Sequence, residues 1–238
     1  MRTLRLGLTI TLAALAGVAN AQTDARALAT DKIRDMSATL RVVESEMNPD
    51  ALETMGREFS TSYRIPRYEV WYKFPQKARF EGKAGILTGT LIYNGDWKKY
   101  QVGFIKKKKN VNNKPGEKQS LMDLGIFAKD WLEDYVPSFV KKEGTLSVFK
   151  LAQKDSASKS YEVVWVDPKT HITTKRMSYG FDGALRKELR YTQPKEVVPG
   201  IFFPARVELY NAQGQKAGAQ TIEKLLVNKG VSDERFVI

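Results

Sequence analysis

Leu91-Ile92-Tyr93-Asn94-Gly95-Asp96-Trp97 decides the fold. An Asn-Gly pair between two apolar runs takes the positive dihedrals of a two-residue type I′ turn, whose twist matches that of paired antiparallel strands. The same reading applies to Asp182-Gly183, between Met177-Ser178-Tyr179 and Leu185 onward, and a third hairpin is expected at Asn211-Ala212-Gln213-Gly214. Past the second turn Leu185, Leu189 and Tyr191 share one face, while Arg186, Glu188 and Arg190 share the other. That is the pattern of an antiparallel sheet dry on one side and wet on the other.

Working outward, the period of two recurs upstream. Arg41, Val43, Ser45 and Met47 alternate with Leu40, Val42, Glu44 and Glu46, and Phe59, Thr61, Tyr63 and Ile65 with Ser60, Ser62 and Arg64. Both stretches are expected to be strands. The whole reads as an α+β chain built on a meander of about ten strands, above the usual sheet size, which must therefore curl. No internal repeat or Pro/Gly-rich linker divides it, so residues 22–238 are expected to form one domain.

Two segments depart from that period. From Asp24 to Met36, Ala25, Ala29, Ile33 and Met36 fall on one helical face, with Thr23 or Asp24 as cap. Between Ser120 and Val136 the helical wheel gathers Leu121, Leu124, Ala128, Trp131, Leu132 and Tyr135 on one apolar face and sets Asp123, Asp130 and Asp134 opposite. Met122, Ile126 and Phe127 fall outside the stripe and Gly125 is a break, so the segment reads as a lid hidden only part of the time. Ahead of it, Lys106 to Lys118 reads as a polar, basic loop.

The start of the chain is a leader. Arg2 and Arg5 precede 13 apolar-rich residues, Leu6 to Val18, and then Ala19-Asn20-Ala21, the small-x-small pattern of a signal-peptidase site. The expectation is a cleaved signal peptide over residues 1–21 and a periplasmic protein beginning at Gln22, because a membrane span needs about 20 apolar residues. With no cysteine in the chain, neither a lipid anchor at the cleavage site, nor a disulfide, nor a thiolate metal site is available.

Without Arg2 and Arg5, 37 Lys and Arg stand against 27 Asp and Glu. Export argues against nucleic acid and favours anionic lipid or glycan as the counterpart. Catalytic chemistry is sparse. His171 is the single histidine, read as an exposed turn residue, so two-histidine metal sites are excluded. Glu44 and Glu46 point the same way on a solvated face, and no nucleophile-elbow, phosphate-loop or zinc-protease motif occurs. The expectation is a binding protein, with no enzymatic activity, no cofactor and no metal.

Several local motifs together resemble the LolA-like outer-membrane lipoprotein carriers and lipoprotein-sorting proteins. They are Val70-Trp71-Tyr72-Lys73-Phe74-Pro75 with Gln76-Lys77-Ala78-Arg79-Phe80-Glu81, the Tyr93-to-Trp97 hairpin, and Val166-Asp167-Pro168-Lys169-Thr170-His171 followed by Asp182-Gly183. The resemblance implies a half-open, strongly curved antiparallel barrel with an N-terminal helix and an inserted lid helix. It also implies a monomeric periplasmic carrier of lipoprotein or lipid acyl chains, in transient contact with an inner-membrane donor and an outer-membrane acceptor.

The cavity wall would be Val70, Tyr72, Phe74, Phe80, Leu91 and Tyr93, facing a lid of Leu121, Leu124, Ala128, Trp131, Leu132 and Tyr135. Lys106, Lys107, Lys108 and Lys109 would dock on an anionic surface. The family's lid-latching arginine, just before the proline of the Trp-x-Lys-x-Pro segment, is Phe74 here, which would pack on Trp131 or Leu124 instead. If Phe74 points inward, Val70 and Tyr72 do too, and Trp71 and Lys73 point out. An alternative use of the same half-barrel is an envelope-stress sensor that holds a membrane regulator instead of passing cargo on.

Overall fold

The computed structural model describes residues 24–112, 114, 117–154 and 159–238; the leader, the expected cleavage site and Thr23 lie outside the described residues. Among the described residues thirteen strands, not about ten, form one sheet: β1 (Asp35–Val42), β2 (Arg67–Lys73), β3 (Lys77–Ala84), β4 (Leu87–Asn94), β5 (Trp97–Val102), β6 (Ile105–Asn110), β7 (Tyr135–Glu143), β8 (Leu146–Gln153), β9 (Tyr161–Val166), β10 (Thr173–Tyr179), β11 (Leu185–Val198), β12 (Ile201–Asn211) and β13 (Lys216–Val227). Two antiparallel meanders, β1 to β6 and β7 to β13, are fused where β1 pairs with β13. Among the described residues strands β6 and β7 have a neighbouring strand on one side only, so the sheet stays unclosed. Val70 on β2 and Phe203 on β12 share one apolar cluster although β1 and β13 lie between their strands, which requires the sheet to curl strongly around that cluster.

Hairpins stand at all three expected places, with different turns. The first loop is Gly95-Asp96, one residue later than expected, because Asn94 already pairs with Trp97. At the other two sites the loops have three residues and close on Gly183 and Gly214, both at positive φ. Such loops follow a type I turn with a left-handed glycine instead of a type I′ pair.

In the stretch 59–65, expected as strand, residues 59–63 lie in helix α3 (Arg57–Tyr63), after α2 (Pro49–Thr54), whose N-cap Asn48 accepts from the Ala51 amide at 3.1 Å. Phe59 and Tyr63 are two apart in the strand count but also four apart, and helical spacing lets both rest on Val42, Leu52 and Leu209. The Tyr63 ring covers Gly218 so closely that a Cβ there would lie 2.5 Å from it. Upstream, β1 ends at Val42 and Glu44–Glu46 is a tight helical turn, not further strand.

The N-terminal helix is shorter than expected. Asp24 caps it, accepting from the Arg26 amide at 2.9 Å, but α1 covers only Ala25–Leu28. Ala25, Ala29, Ile33 and Met36 are all buried as the apolar spacing requires. The chain after Ala29 nevertheless runs extended, because the Thr30 amide donates to Phe127 and its carbonyl accepts from Lys129, and Met36 belongs to β1.

Gly218→Ala should lower stability by about 1–3 kcal/mol, since the new methyl overpacks a buried aromatic ring. Urea denaturation would show a lower midpoint at unchanged slope. An unchanged midpoint would mean that α3 is not seated on β13.

Candidate functional site

The inner face of the sheet is covered by residues 120–132, which are not one helix. Ser120 and Asp123 form a reciprocal cap: the Ser120 hydroxyl accepts from the Met122 amide at 3.1 Å and Asp123 accepts from the Ser120 amide at 2.9 Å. One tight turn, Leu121–Leu124, ends at Gly125 with φ 82°. A Cβ at Gly125 would sit 2.6 Å from the Tyr191 ring, so both backbone and space demand glycine.

Ile126 to Ala128 is extended and stitched on two sides. Phe127 donates to the His171 carbonyl (2.9 Å), Thr173 to the Gly125 carbonyl (2.8 Å), and Thr30 to the Phe127 carbonyl (2.8 Å). Helix α4 is only Lys129–Leu132, and Tyr135 already opens β7.

This corrects the expected lid helix, and the correction explains its surplus of apolar residues. A chain that turns twice can bury side chains in two directions. Leu121, Leu124, Ile126 and Ala128 enter the cluster of Met36, Val70, Tyr72 and Phe203. Met122, Phe127, Trp131, Leu132 and Tyr135 enter a second cluster around Phe149, Leu151 and Val164. Leu121, Met122, Ile126, Phe127, Leu132 and Tyr135 are all at most 1% exposed, so the interior is filled by the cover itself. The hollow beside Asp130, Gln76, Tyr93 and Lys118 measures about 10 Å³, on the scale of one water molecule.

The expected wall follows the alternation. Val70 and Tyr72 are buried on the inner face, Phe74 and Phe80 lie half-buried at the rim of the same cluster, and Tyr93 is buried beside the small hollow. Leu91 is half-buried, opposite Phe80 on β3 and Tyr100 on β5. Trp71 faces outward under the Arg79 and Arg235 guanidinium groups, and Lys73 pairs with Asp233 at 2.7 Å. Phe74 packs on the cluster that holds Leu124, whereas Trp131 belongs to the other cluster. Arg34 lies over the Phe74 ring at 5.4 Å.

The polar residues expected opposite the lid face are its fastenings. Asp123 receives Arg176 Nη1 at 2.9 Å, and Arg176 Nε and Nη2 both donate to Glu162 at 2.7 Å. Burial works against the Arg176 charge, but Glu162 and Asp123 outweigh it and hold the guanidinium pKa well above the ordinary arginine value.

Asp130, 4% exposed, accepts from the Tyr72 hydroxyl and, at 3.1 Å, from the Gln76 amide. Burial, and then the Asp130 charge, raise the Tyr72 pKa far above the usual phenol value, so its hydroxyl stays a donor. Lys118 bridges Asp134 (3.1 Å) and Asp96 (3.5 Å). Tyr191 donates to the Met122 carbonyl at 3.0 Å. Sequence reasoning missed Arg176 and Glu162 altogether and named Gln76 only within a family motif, without a role. The Ser120-x-x-Asp123 spacing was the one signal that could have marked the start of the cover.

Two other expectations change. His171 is half-buried at φ 58°, with Nδ1 2.8 Å from the Leu28 carbonyl, and so ties the N-terminal segment to the β9–β10 connection instead of standing free in a turn. Lys106 to Lys109 form edge strand β6, not a loop, and all four are exposed. Lysines on an edge deter pairing with another sheet. Lys118 is consumed by its ion pairs and takes no part in that basic surface. Among the described residues no group of His, Asp and Glu side chains is placed to hold a metal ion, and no helix is long and apolar enough to cross a membrane.

An unclosed, strongly curved antiparallel sheet with a few short helices and an internally packed cover is the LolA-like fold, and comparison with solved structures agrees. A LolA superfamily protein from Nitrosomonas europaea superposes with TM-score 0.58 at 14% identity, covering 90% of this chain and 94% of its own. A domain from Vibrio parahaemolyticus, named for outer membrane lipoprotein sorting, gives TM-score 0.57 at 14% identity, covering 89% and 92%. A family model described as "-like: Uncharacterized protein" matches residues 93–237, and the chain belongs to that family. No curated protein sequence matches.

Replacing Arg176 by Met should cost about 3–5 kcal/mol, because it strands the Glu162 charge in the interior. The double change Arg176→Met with Glu162→Gln should recover part of that loss. Denaturant midpoints for the two proteins check this, and a single variant as stable as the parent would contradict it.

Proposed function

We propose that the chain is a periplasmic carrier that binds lipid or lipoprotein acyl chains by exchanging them for its own cover and delivers them toward the outer membrane. One observation carries the reading. The apolar inner wall of the sheet is covered by a segment outside the sheet, whose charged and polar residues clip it to the rim at Asp123–Arg176 and Asp130–Tyr72. The LolA-like fold supports it, as does the lipoprotein-sorting name of the Vibrio parahaemolyticus domain.

Magnitudes make the exchange feasible. Removing a fatty chain from water gains about 0.8 kcal/mol per methylene, hence on the order of 10 kcal/mol in all. Uncovering Leu121, Leu124 and Ile126 costs about 1.5–3 kcal/mol for each side chain. The two are of one order, so occupied and empty states can interconvert, which a carrier needs in order to load and release. In the occupied state Val70, Tyr72, Phe74, Phe80, Leu91 and Tyr93 would contact cargo. The basic edge Lys106 to Lys109 would face anionic lipid during transfer between donor and acceptor.

Protein purified without detergent should carry lipid, identified by extraction and mass spectrometry, and delipidated protein should take up a fluorescent fatty acid. Phe74→Asp should weaken uptake at least about tenfold by setting a charge at the wall. Asp123→Asn should strengthen it, because a looser cover raises the binding-competent fraction. Protein recovered empty, with no uptake by any of the three, would contradict the carrier reading.

A further inference from the structure

Three of the sheet's two-residue turns raise a question that the carrier site leaves open. Gly85-Ile86 joins β3 to β4, Gly95-Asp96 joins β4 to β5, and Gly103-Phe104 joins β5 to β6. In each the glycine takes the positive φ, 60°, 56° and 54°, so the second position has no special backbone demand and a polar residue serves it. The Gly95-Asp96 turn has one, and so does Gly144-Thr145 between β7 and β8. Ile86 and Phe104 are instead large apolar side chains, 100% and 104% exposed.

In a meander alternate turns lie at the same end of the sheet, so Ile86 and Phe104 are neighbours. Leu87 Cδ2 lies 3.7 Å from where a Cβ of Gly103 would be. Leu87 and Ile105, next to the two tips, are 49% and 61% exposed. The surroundings are basic: within three residues of the two tips stand Lys83, Lys106 and Lys107, and no Asp or Glu. Among the described residues, Lys83, Lys106 and Lys107 form no ion pair. Edge protection accounts for the lysines of β6, but not for apolar tips.

We infer that these two hairpin tips dock the protein on a bilayer containing anionic phospholipid, with Ile86 and Phe104 entering the acyl region and Lys83, Lys106 and Lys107 resting on the headgroups. Charge complementarity and the paired apolar tips select that partner over a neutral surface. The inference deepens the carrier reading, on which it rests for its purpose. The cross-strand row Val70, Phe80, Leu91, Tyr100 and Lys107 runs from the buried wall to this basic edge, a path along which an acyl chain can pass to the membrane.

Flotation of the purified protein with vesicles tests it. Binding is expected to vesicles of phosphatidylglycerol with phosphatidylcholine, but not to phosphatidylcholine alone, and to fall with salt. Ile86→Ser and Phe104→Ser should each weaken it about tenfold, and Lys106→Gln with Lys107→Gln should remove the preference for the anionic lipid. Because the tips are fully exposed, the serine variants should keep the parent's melting temperature and its fatty-acid uptake, which separates failure of docking from failure of the carrier reading.

The inference is overturned if the parent ignores anionic vesicles, or if the double serine variant floats as well as the parent. It is overturned equally if sedimentation shows a lipid-free dimer that Phe104→Ser dissolves, which would make the tips a contact between two copies.

Discussion

A curled sheet that does not close on itself has an apolar face to hide, and in this chain residues 120–132 hide it. Everything around the site follows from that constraint. One straight helix would present a single apolar face, whereas a segment that turns at Gly125, runs extended to Ala128 and turns again can serve two clusters. Leu121 and Ile126 then serve one cluster while Met122 and Phe127 serve the other. The N-terminal residues 29–34 and the β9–β10 connection are drawn in as flanking partners, which is why α1 stops at Leu28 and why His171 is half-buried.

The fastenings are of two kinds, and they differ in what releasing them costs. Main-chain bonds from Thr30, His171 and Thr173 are replaced by water when the cover lifts, so each contributes only about 0.5–1.5 kcal/mol net. The Arg176–Glu162–Asp123 group is buried at one end and rooted in β9 and β10. If Asp123 leaves, Arg176 keeps Glu162, and the site retains a paired charge. The ion group therefore anchors the position to which the cover returns, while Asp130 and Tyr72 form a second, smaller catch at the opposite rim.

Much of this fold was legible in the residues. The three hairpins stand where glycine follows a polar residue between apolar runs, and alternation puts Val70 and Tyr72 on the same face as Phe74, inward once Phe74 is placed there. Short segments were not legible in the same way. Phe59 and Tyr63 satisfy a period of two and a spacing of four equally, and only packing on Leu209 decides between them. Lys106 to Lys109 has no apolar partner face to show a strand, because an edge strand with solvent on both sides needs none. The fastenings were hidden for a third reason. A buried arginine looks in sequence like any arginine of a wet face, and Arg176 is marked only by its distant partners Asp123 and Glu162.

Ile126 and Ile172 face each other as a non-hydrogen-bonded antiparallel pair, the closer of the two pair geometries, and the chain has no cysteine of its own. Fatty-acid uptake by the Ile126→Cys, Ile172→Cys protein, oxidised and then reduced, therefore tests most directly whether the cover moves aside for cargo. The account predicts negligible uptake while the disulfide holds the cover down and full recovery on adding reductant. Equal uptake by the oxidised and reduced forms would show that cargo binds elsewhere and that residues 120–132 are a fixed part of the core.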